Sequence, residues 1–538
     1  MTFKLPERQL LSQDDASMIA RPDVPRSKFT GQFSRKFTFD AGYLIPFHVE
    51  ECLPGGHYRF QITPFIRTAT PLFPIMDSQR FDVHAFFVPN RLVWQNWVKL
   101  MGQQDSPGDS IAFTVPQVTS TGNGFAVGSV MDYMGLPTIG QCAAVLSVNA
   151  LPIRAWRLIY HQWYRDENLI NGTFPNTGDT SNTEAQYGAL FRRAKSHDYF
   201  TSCLPWPQKF VAPSVPLVGN APITGIGLDP GDRAGTASGV NFIETGGATQ
   251  AYAFMRKMDT TAVYAKVTAA ANAEPEIYAD LSAVSGVSIN DFRLAMQIQV
   301  FLERMARGGT RYTEILETIW GVRNPDARLQ RAEYIGGGST PVQFTPIAQT
   351  GPTSGTAYLG NLAAAGTAVG NNVATYAATE HGFIIIVGSV KSELSYSQGI
   401  HKMWDRRTLY DYPNPAFVGL GEQAVLRREI YATGVPANDD VVFGYQERYH
   451  EYRTEVSRLA ALFRPTAAGN IDEWHLSQQF SGAPTLGQTF IEDTPPMTRV
   501  YAAGALANGI QYLADVHIRR EATLPLPMFG TPVGLGRF

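Results

Sequence analysis

The chain is 538 residues long, 44% hydrophobic and only 17% charged, with 49 glycines, 35 prolines and a net charge of −3. That balance argues against a stand-alone nucleic-acid-binding domain, which usually carries a basic bias. Three cysteines far apart in sequence, Cys52, Cys142 and Cys203, argue against a disulfide framework or a cysteine-based zinc site, and for reduced thiols. In chain order, residues 1–36 read as an irregular, partly extended N-terminal arm with seven Lys/Arg against four Asp/Glu and no signal-peptide pattern. Arg26, Lys28, Arg35 and Lys36 could touch a polyanion or stand on a solvated terminus.

From Phe37 the period changes to two. "FTFDAGYLIPFHV" and "YRFQITPFIRTATPLF" are β-rich and broken by Pro and Gly. In "RFDVHAFFV", Phe81, Val83, Ala85 and Phe87 share one face, and the other runs from Asp82 and His84 to Phe86 and Val88. That pattern predicts a core strand of a sandwich, ended by Pro89. Asn90 is a candidate cap for a helix over "RLVWQNWVKLMG", in which Val93, Trp94, Trp97 and Leu100 recur at helical spacing.

Further helices are predicted in "LPIRAWRLIYHQWYRDEN", whose stripe includes Trp156 and Trp163, and in "NDFRLAMQIQVFLERMARGG", with Leu294, Ile298, Phe301 and Met305. A third is predicted in "TRYTEILETIWG", with Trp320 on its buried face. Such stripes are read as packing faces. Two stretches read as surface loops: 213–288, rich in Gly, Ala, Thr, Val and Pro, and 336–380, without a charge as far as residue 379. "FIIIVGSV" at 383–390 is far shorter than the ~20 residues that span a bilayer and is read as a buried strand. Strands then continue to the end, so the first and last strands are expected to close a β-sandwich with long insertions. The division is an arm (1–36), first strands with helical insertions (37–212), a surface insertion (213–288), a helical segment (289–335), an uncharged loop (336–380), and returning strands with a tail (381–538).

No sequence motif announces catalysis. There is no Gly-Lys pair for a Walker loop, no HExxH and no GxSxG. His48 and Glu50 would share a strand face but lack a third metal ligand. Glu447, His450 and Glu451 read as a solvated face. "DRR" at 405–407 followed by "TLYDY" puts Arg406 and Arg407 beside aromatics, which suits phosphates and bases or a protein interface equally. A chain with few charges, longer than the ~250–300 residues at which single cores stop growing, must hide surface elsewhere. No cofactor or metal is expected, and a structural, self-associating protein is.

A resemblance sharpens this. "RGGTRYTEILETIWGVRNPDARLQRAEYIGGGSTPVQFTPIAQT" (307–350) closely resembles the major capsid proteins of the Microviridae, the gokushovirus branch in particular. So do "DAGYLIPFHVEECLPG" (40–55), "RTATPLFPIMDSQRFDVHAFFVPNRLVWQNWVKLMG" (67–102), "FGYQERYHEYRTEVSRLAALFR" (443–464), "WHLSQQF" (474–480) and "PLPMFGTPVGLGRF". The resemblance implies an eight-stranded viral jelly roll in a T=1 shell of identical subunits around circular single-stranded DNA. It also implies a small basic packaging protein, a transient scaffold protein, and a protrusion from 213–288 that meets a host receptor. Membrane insertion is not expected. Arg26, Lys28, Arg35, Lys36, Arg406 and Arg407 are then the candidates to face DNA. Phe81, Phe87, Trp94, Trp97, Trp156, Trp163 and Trp320 are the expected core and seam aromatics. A carbohydrate-binding or carbohydrate-active jelly roll and a free single-strand DNA-binding protein are the alternatives.

Overall fold

The computed structural model describes residues 25–103, 106, 108–213, 223–224, 241–243, 249–251, 278–279, 289–308, 318, 330–351, 360–502 and 510–529. The arm before residue 25, most of 213–288, the predicted helix over 310–321 with its Trp320, and 530–538 lie outside them. The chain divides into two compact units, Met1–Pro207 with Thr310–Glu317 and Gly321–Phe538, and Gln208–Gly309 with Thr318–Trp320.

In the first unit, ten antiparallel strands form one sheet. They are β1 (Ser27–Phe39), β2 (Ile45–Cys52), β3 (His57–Thr68), β4 (Gln79–Pro89), β5 (Glu333–Pro341), β6 (Gln343–Ala348), β7 (Leu362–Val369), β8 (Asn372–Ala377), β9 (Gly382–Ser392) and β10 (Tyr512–Leu524). Eight follow one path, β1–β10–β3–β8–β5–β4–β9–β2, and the β6–β7 hairpin joins β3 through β7. The first and last strands pair along their whole length, from Ser27 opposite Leu524 to Phe39 opposite Tyr512. The two end strands of the path meet where Phe37 stacks on Phe47 at 5.5 Å, so the sheet is nearly closed on itself. This is the mainly β, jelly-roll type of architecture the sequence implies.

The alternation in β4 builds two cores at once. Phe81, Val83, Ala85 and Phe87 enter the core inside the sheet, with Ile384 and Ile386 of β9. Phe86 and Val88 point the other way, into a second core with Ile385, Val387, Trp94 and Trp156. That core is roofed by helix α1 (Leu151–Ile159), which begins with Pro152 in its first turn and ends in a π-turn at Tyr160–Tyr164. Trp94 and Trp156 are fully buried, and Trp97 is half-buried against the same cluster. Burying each such side chain stabilises the fold by ~1.5–3 kcal/mol. Trp163 differs from the expected core position: it is 40% exposed, at a rim.

Three expectations are corrected. The regular strand begins within the partly extended arm, at Ser27 and not at Phe37; Phe29, Phe33 and Phe37 face inward at period two while Lys28 and Lys36 face out. The uncharged stretch is not a loop, because it carries β5 to β8; Ala364, Ala368 and Ala374 are buried, so small residues alternate where large ones usually do. The helix over 91–102 is broken into single turns at Asn90–Val93 and Trp97–Leu100. The cause is long-range: Trp94 is extended and donates to Asp179 at 2.7 Å, while the Gln95 N–H donates to the Thr177 carbonyl. Asn90 provides no side-chain cap.

The second unit contains the short strand pairs Ile223–Thr224 with Tyr278–Ala279 and Asn241–Ile243 with Thr249–Ala251, and helix α2 (Ile289–Arg307). On α2, Leu294, Ile298 and Phe301 are exposed, so the predicted packing stripe is open.

Candidate functional site

Two surfaces of the first unit carry the residues singled out in the sequence. The first is the outer face of β1, β10 and β3. Strand alternation turns Lys28 and Lys36 outward, and register places them near outward residues of β10. Lys28 pairs with Glu521 at 3.1 Å and Lys36 with Asp515 at 3.7 Å. The Lys28 contact holds the Glu521 carboxyl below its usual range. Arg26 is exposed beside this face, near Gly55. Arg35 points inward, half-buried, with its guanidinium carbon 5.6 Å from the centre of the Phe33 ring.

The same register gathers cations that sequence reasoning missed. Arg59 and Arg67 of β3 and Arg519 of β10 are exposed on the outward, odd-numbered side of their strands. Arg67 lies over the Phe65 ring at 4.9 Å. Arg519 also reaches Glu521, at 3.1 Å. The available signal was the period-two placement of Arg in "HYRFQITPFIRT" and "DVHIRREATL". The result is a polar sheet face with more cations than carboxylates, suited to a phosphate backbone.

The second surface is the segment 400–420. It contains three short 3-10 turns, Lys402–Asp405, Leu409–Asp411 and Pro415–Phe417. Its large apolar residues face outward: Trp404 is 73% exposed, Leu409 80% and Tyr410 75%, with Met403, Tyr412, Val418 and Leu420 also open. The segment is nevertheless fastened from beneath. Arg428 pairs with Asp405 at 2.5 Å, Lys402 donates to the Ala424 carbonyl at 3.0 Å, and Asp411 caps Thr408. Arg406 donates to Glu451 at 3.1 Å and to the Tyr452 hydroxyl at 2.6 Å, and its side chain is only 9% exposed. Arg406 is thus a tie within the segment, whereas Arg407 is exposed. Glu451, expected on a solvated face, is buried between Arg406 and Gln423. Below it, Glu429 accepts from Tyr199 at 2.8 Å, and burial raises its pKa.

The His48 and Glu50 pair lies at 3.6 Å on β2, but Glu50 is engaged by Arg520 at 2.6 Å. A guanidinium occupies the side where a third ligand would stand. Burial depresses the pKa of His48, and the nearby Glu50 carboxylate only partly offsets it. Among the described residues no group of three or more His, Cys, Asp or Glu could hold a metal ion. No helix among them is long and apolar enough to cross a membrane.

Comparison with known proteins gives the family. The pattern of the family described as "Capsid protein (F protein)" matches residues 17–534. Capsid protein VP1 of Bdellovibrio phage phiMH2K is 39% identical over 98% of this chain and 99% of its own length. Capsid protein VP1 of Chlamydia phage 1 is 34% identical, covering 97% of each chain, and that of Spiroplasma virus 4 is 33% identical over 97% of this chain and 98% of its own. Such proteins are structural parts of the virion, not enzymes. The chain therefore belongs to the capsid protein (F protein) family, among the coat proteins of the Microviridae.

Proposed function

We propose that this chain self-assembles into a T=1 icosahedral shell around circular single-stranded DNA, with segment 213–288 forming a protrusion used in host attachment. The observation that carries self-assembly is the apolar surface of 400–420. Its seven open side chains expose on the order of 800 Å², more than the usual largest patch on a monomer and about one partner's share of a standard interface. The buried ties of Arg406 and Arg428 hold that surface in shape before a partner arrives, which lowers the ordering cost of association. A second copy of the chain is the partner.

The cations of β1, β3 and β10 support a DNA-facing role for Arg26, Lys28 and Lys36, now joined by Arg59, Arg67 and Arg519, whereas the inward Arg35 is turned away from that face. Arg407 remains a candidate on its own surface, and the enclosed Arg406 does not. A chain of net charge −3 leaves most neutralisation of the DNA to a small basic packaging protein. A transient scaffold protein and a host-cell receptor complete the partners. Membership of a structural capsid family favours this reading over a carbohydrate-binding or carbohydrate-active jelly roll.

Negative-stain electron microscopy of the protein purified from expressing bacteria tests the shell. Uniform small icosahedral particles are expected. Only monomers or small oligomers, persisting when the other phage proteins are co-expressed, would overturn it. Replacing Arg26, Lys28, Arg35 and Lys36 with Ala should lower the DNA-filled fraction while empty shells persist. Deleting 221–285 should preserve shells and reduce attachment to cells.

A further inference from the structure

The outer face of β4 changes character along its length, from Arg80 and Asp82 through His84 to Phe86. A cavity of about 430 Å³ opens over that face, within the ~300–1,000 Å³ of small-molecule sites. One end is aromatic. Phe86, Trp163 and Tyr334 stand 5.4 to 6.3 Å apart by ring centroid, and Trp163 and Tyr334 are 40% and 48% exposed. Arg331 lies over one face of the Trp163 ring at 5.1 Å, and the remaining exposed parts of Trp163 and Tyr334 border the concave site.

The other end is cationic. Arg193 is fixed by Asp82 at 2.5 Å and Ser389 at 3.0 Å, and Lys195 by Gln478 at 2.7 Å. The Lys391 ammonium has no hydrogen-bond or ion-pair partner among the described residues. Burial, then Arg193 and Arg80, pull Lys391 down to about 8, and burial pulls Lys195 to about 8. The lining carboxylate, Asp166, already accepts from the Asn168 and Leu169 N–H groups. Asp493 and Asp82 offset part of the charge on Lys391, and Asp198 and Asp493 part of that on Lys195; an anion in the cavity would offset more. Open rings beside gathered cations match a flat heterocycle joined to a phosphate.

We propose that this cavity seats one nucleotide unit, its base against Trp163 and Tyr334 and its phosphate on Arg193 and Lys391, with the buried Lys195 adding positive charge behind them. Its source is either the packaged strand, which rests on the proposed DNA-enclosing shell, or a free nucleotide. Either source presents the same chemistry.

The test titrates the full-length protein with thymidine 5′-monophosphate, inorganic phosphate and thymidine, reading Trp fluorescence and calorimetry. The nucleotide should bind at least tenfold tighter than either fragment, and more weakly as salt rises. Tyr334→Ala should weaken it about tenfold, as loss of one stacking surface does, and Lys391→Ala by a similar factor with a reduced salt dependence. Neither variant should alter the thermal midpoint by more than a few degrees. Nucleotide binding no tighter than phosphate, or unmoved by both substitutions, overturns the site. A thymidine oligonucleotide bound tighter than the mononucleotide identifies the strand as source, and the reverse a free nucleotide. DNA content of purified particles is measured separately. DNA-filled particles from a protein that fails to bind the nucleotide sink the cavity proposal and leave the shell standing. Nucleotide binding by a protein whose particles hold no DNA keeps the cavity and removes the packaging reading.

Discussion

The stretch 333–377 and the segment 400–420 invert the usual relation between side-chain size and burial. The first is built from Gly, Ala and Thr, yet it supplies β5 to β8 of the main sheet, with Ala364, Ala368 and Ala374 buried. The second holds Trp404, Leu409 and Tyr410, yet it leaves them mostly exposed. Small side chains suffice in the first because neighbouring backbones come close: β5 lies between β4 and β8, and both contribute core residues. Large side chains stay open in the second because the ties that fasten the segment, Arg406 to Glu451 and Arg428 to Asp405, are polar and leave them uncovered. Hydrophobicity measures what a residue gains by burial, and the fold decides whether burial happens within one subunit.

The sharpest way to break this comparison is at Gly337. Its φ of +152° is one that L side chains rarely adopt, and an added Cβ would collide with the Val83 carbonyl oxygen of β4. Gly337→Ala should destabilise the chain by about 3 kcal/mol or more, seen as loss of soluble protein or a lowered denaturant midpoint. A change within about 0.5 kcal/mol would show that β5 does not need its close approach to β4.

On the other side of the comparison, Trp404, Leu409 and Tyr410 should be dispensable for the subunit and needed between subunits. Replacing all three with Ala should abolish particles, since buried interface anchors cost about 2 kcal/mol or more each. The thermal midpoint of the unassembled protein should move by less than about 2 °C, because surface substitutions rarely exceed ~0.5 kcal/mol. A fall of 10 °C would instead place these side chains in the subunit's own stability.

A smaller effect probes the glycine strand by titration. His84 lies opposite Gly337 in the β4–β5 register, and burial, then Arg193, depresses its pKa to about 4. Its folded-state pKa lies below the unfolded value near 6.5, so stability is intact above pH 6.5 and falls as pH drops toward 4. The loss should be at most about 3 kcal/mol, the full value of a fall from 6.5 to about 4. In His84→Gln the acid slope should flatten in urea midpoints measured from pH 7 to pH 4; an unchanged slope would assign the loss to other groups, His48 first.

Much of the fold was legible in local periodicity. The two faces of β4, the buried run in β9, the proline-led start of α1 and the closing role of the last strand all follow from spacing within a few residues. β1 was legible too: its phenylalanines alternate from Phe29, but clustered cations mask the pattern. The candidate site was less so. Arg406 beside tyrosines looked the same in sequence whether it served DNA, an interface or a buried Glu451, because that carboxylate is 45 residues away.

The sequence by itself determined that this is a mainly β, weakly charged, self-associating chain, because composition and alternation record which faces must leave water. Only the tertiary structure decided which strands neighbour one another. Register across hundreds of residues sets Lys28 and Lys36 on one sheet face with Arg519, breaks the helix at Trp94 through Asp179, and packs alanines where a loop was expected. Those outcomes depend on partners brought together by the whole sheet, and no local period carries that information.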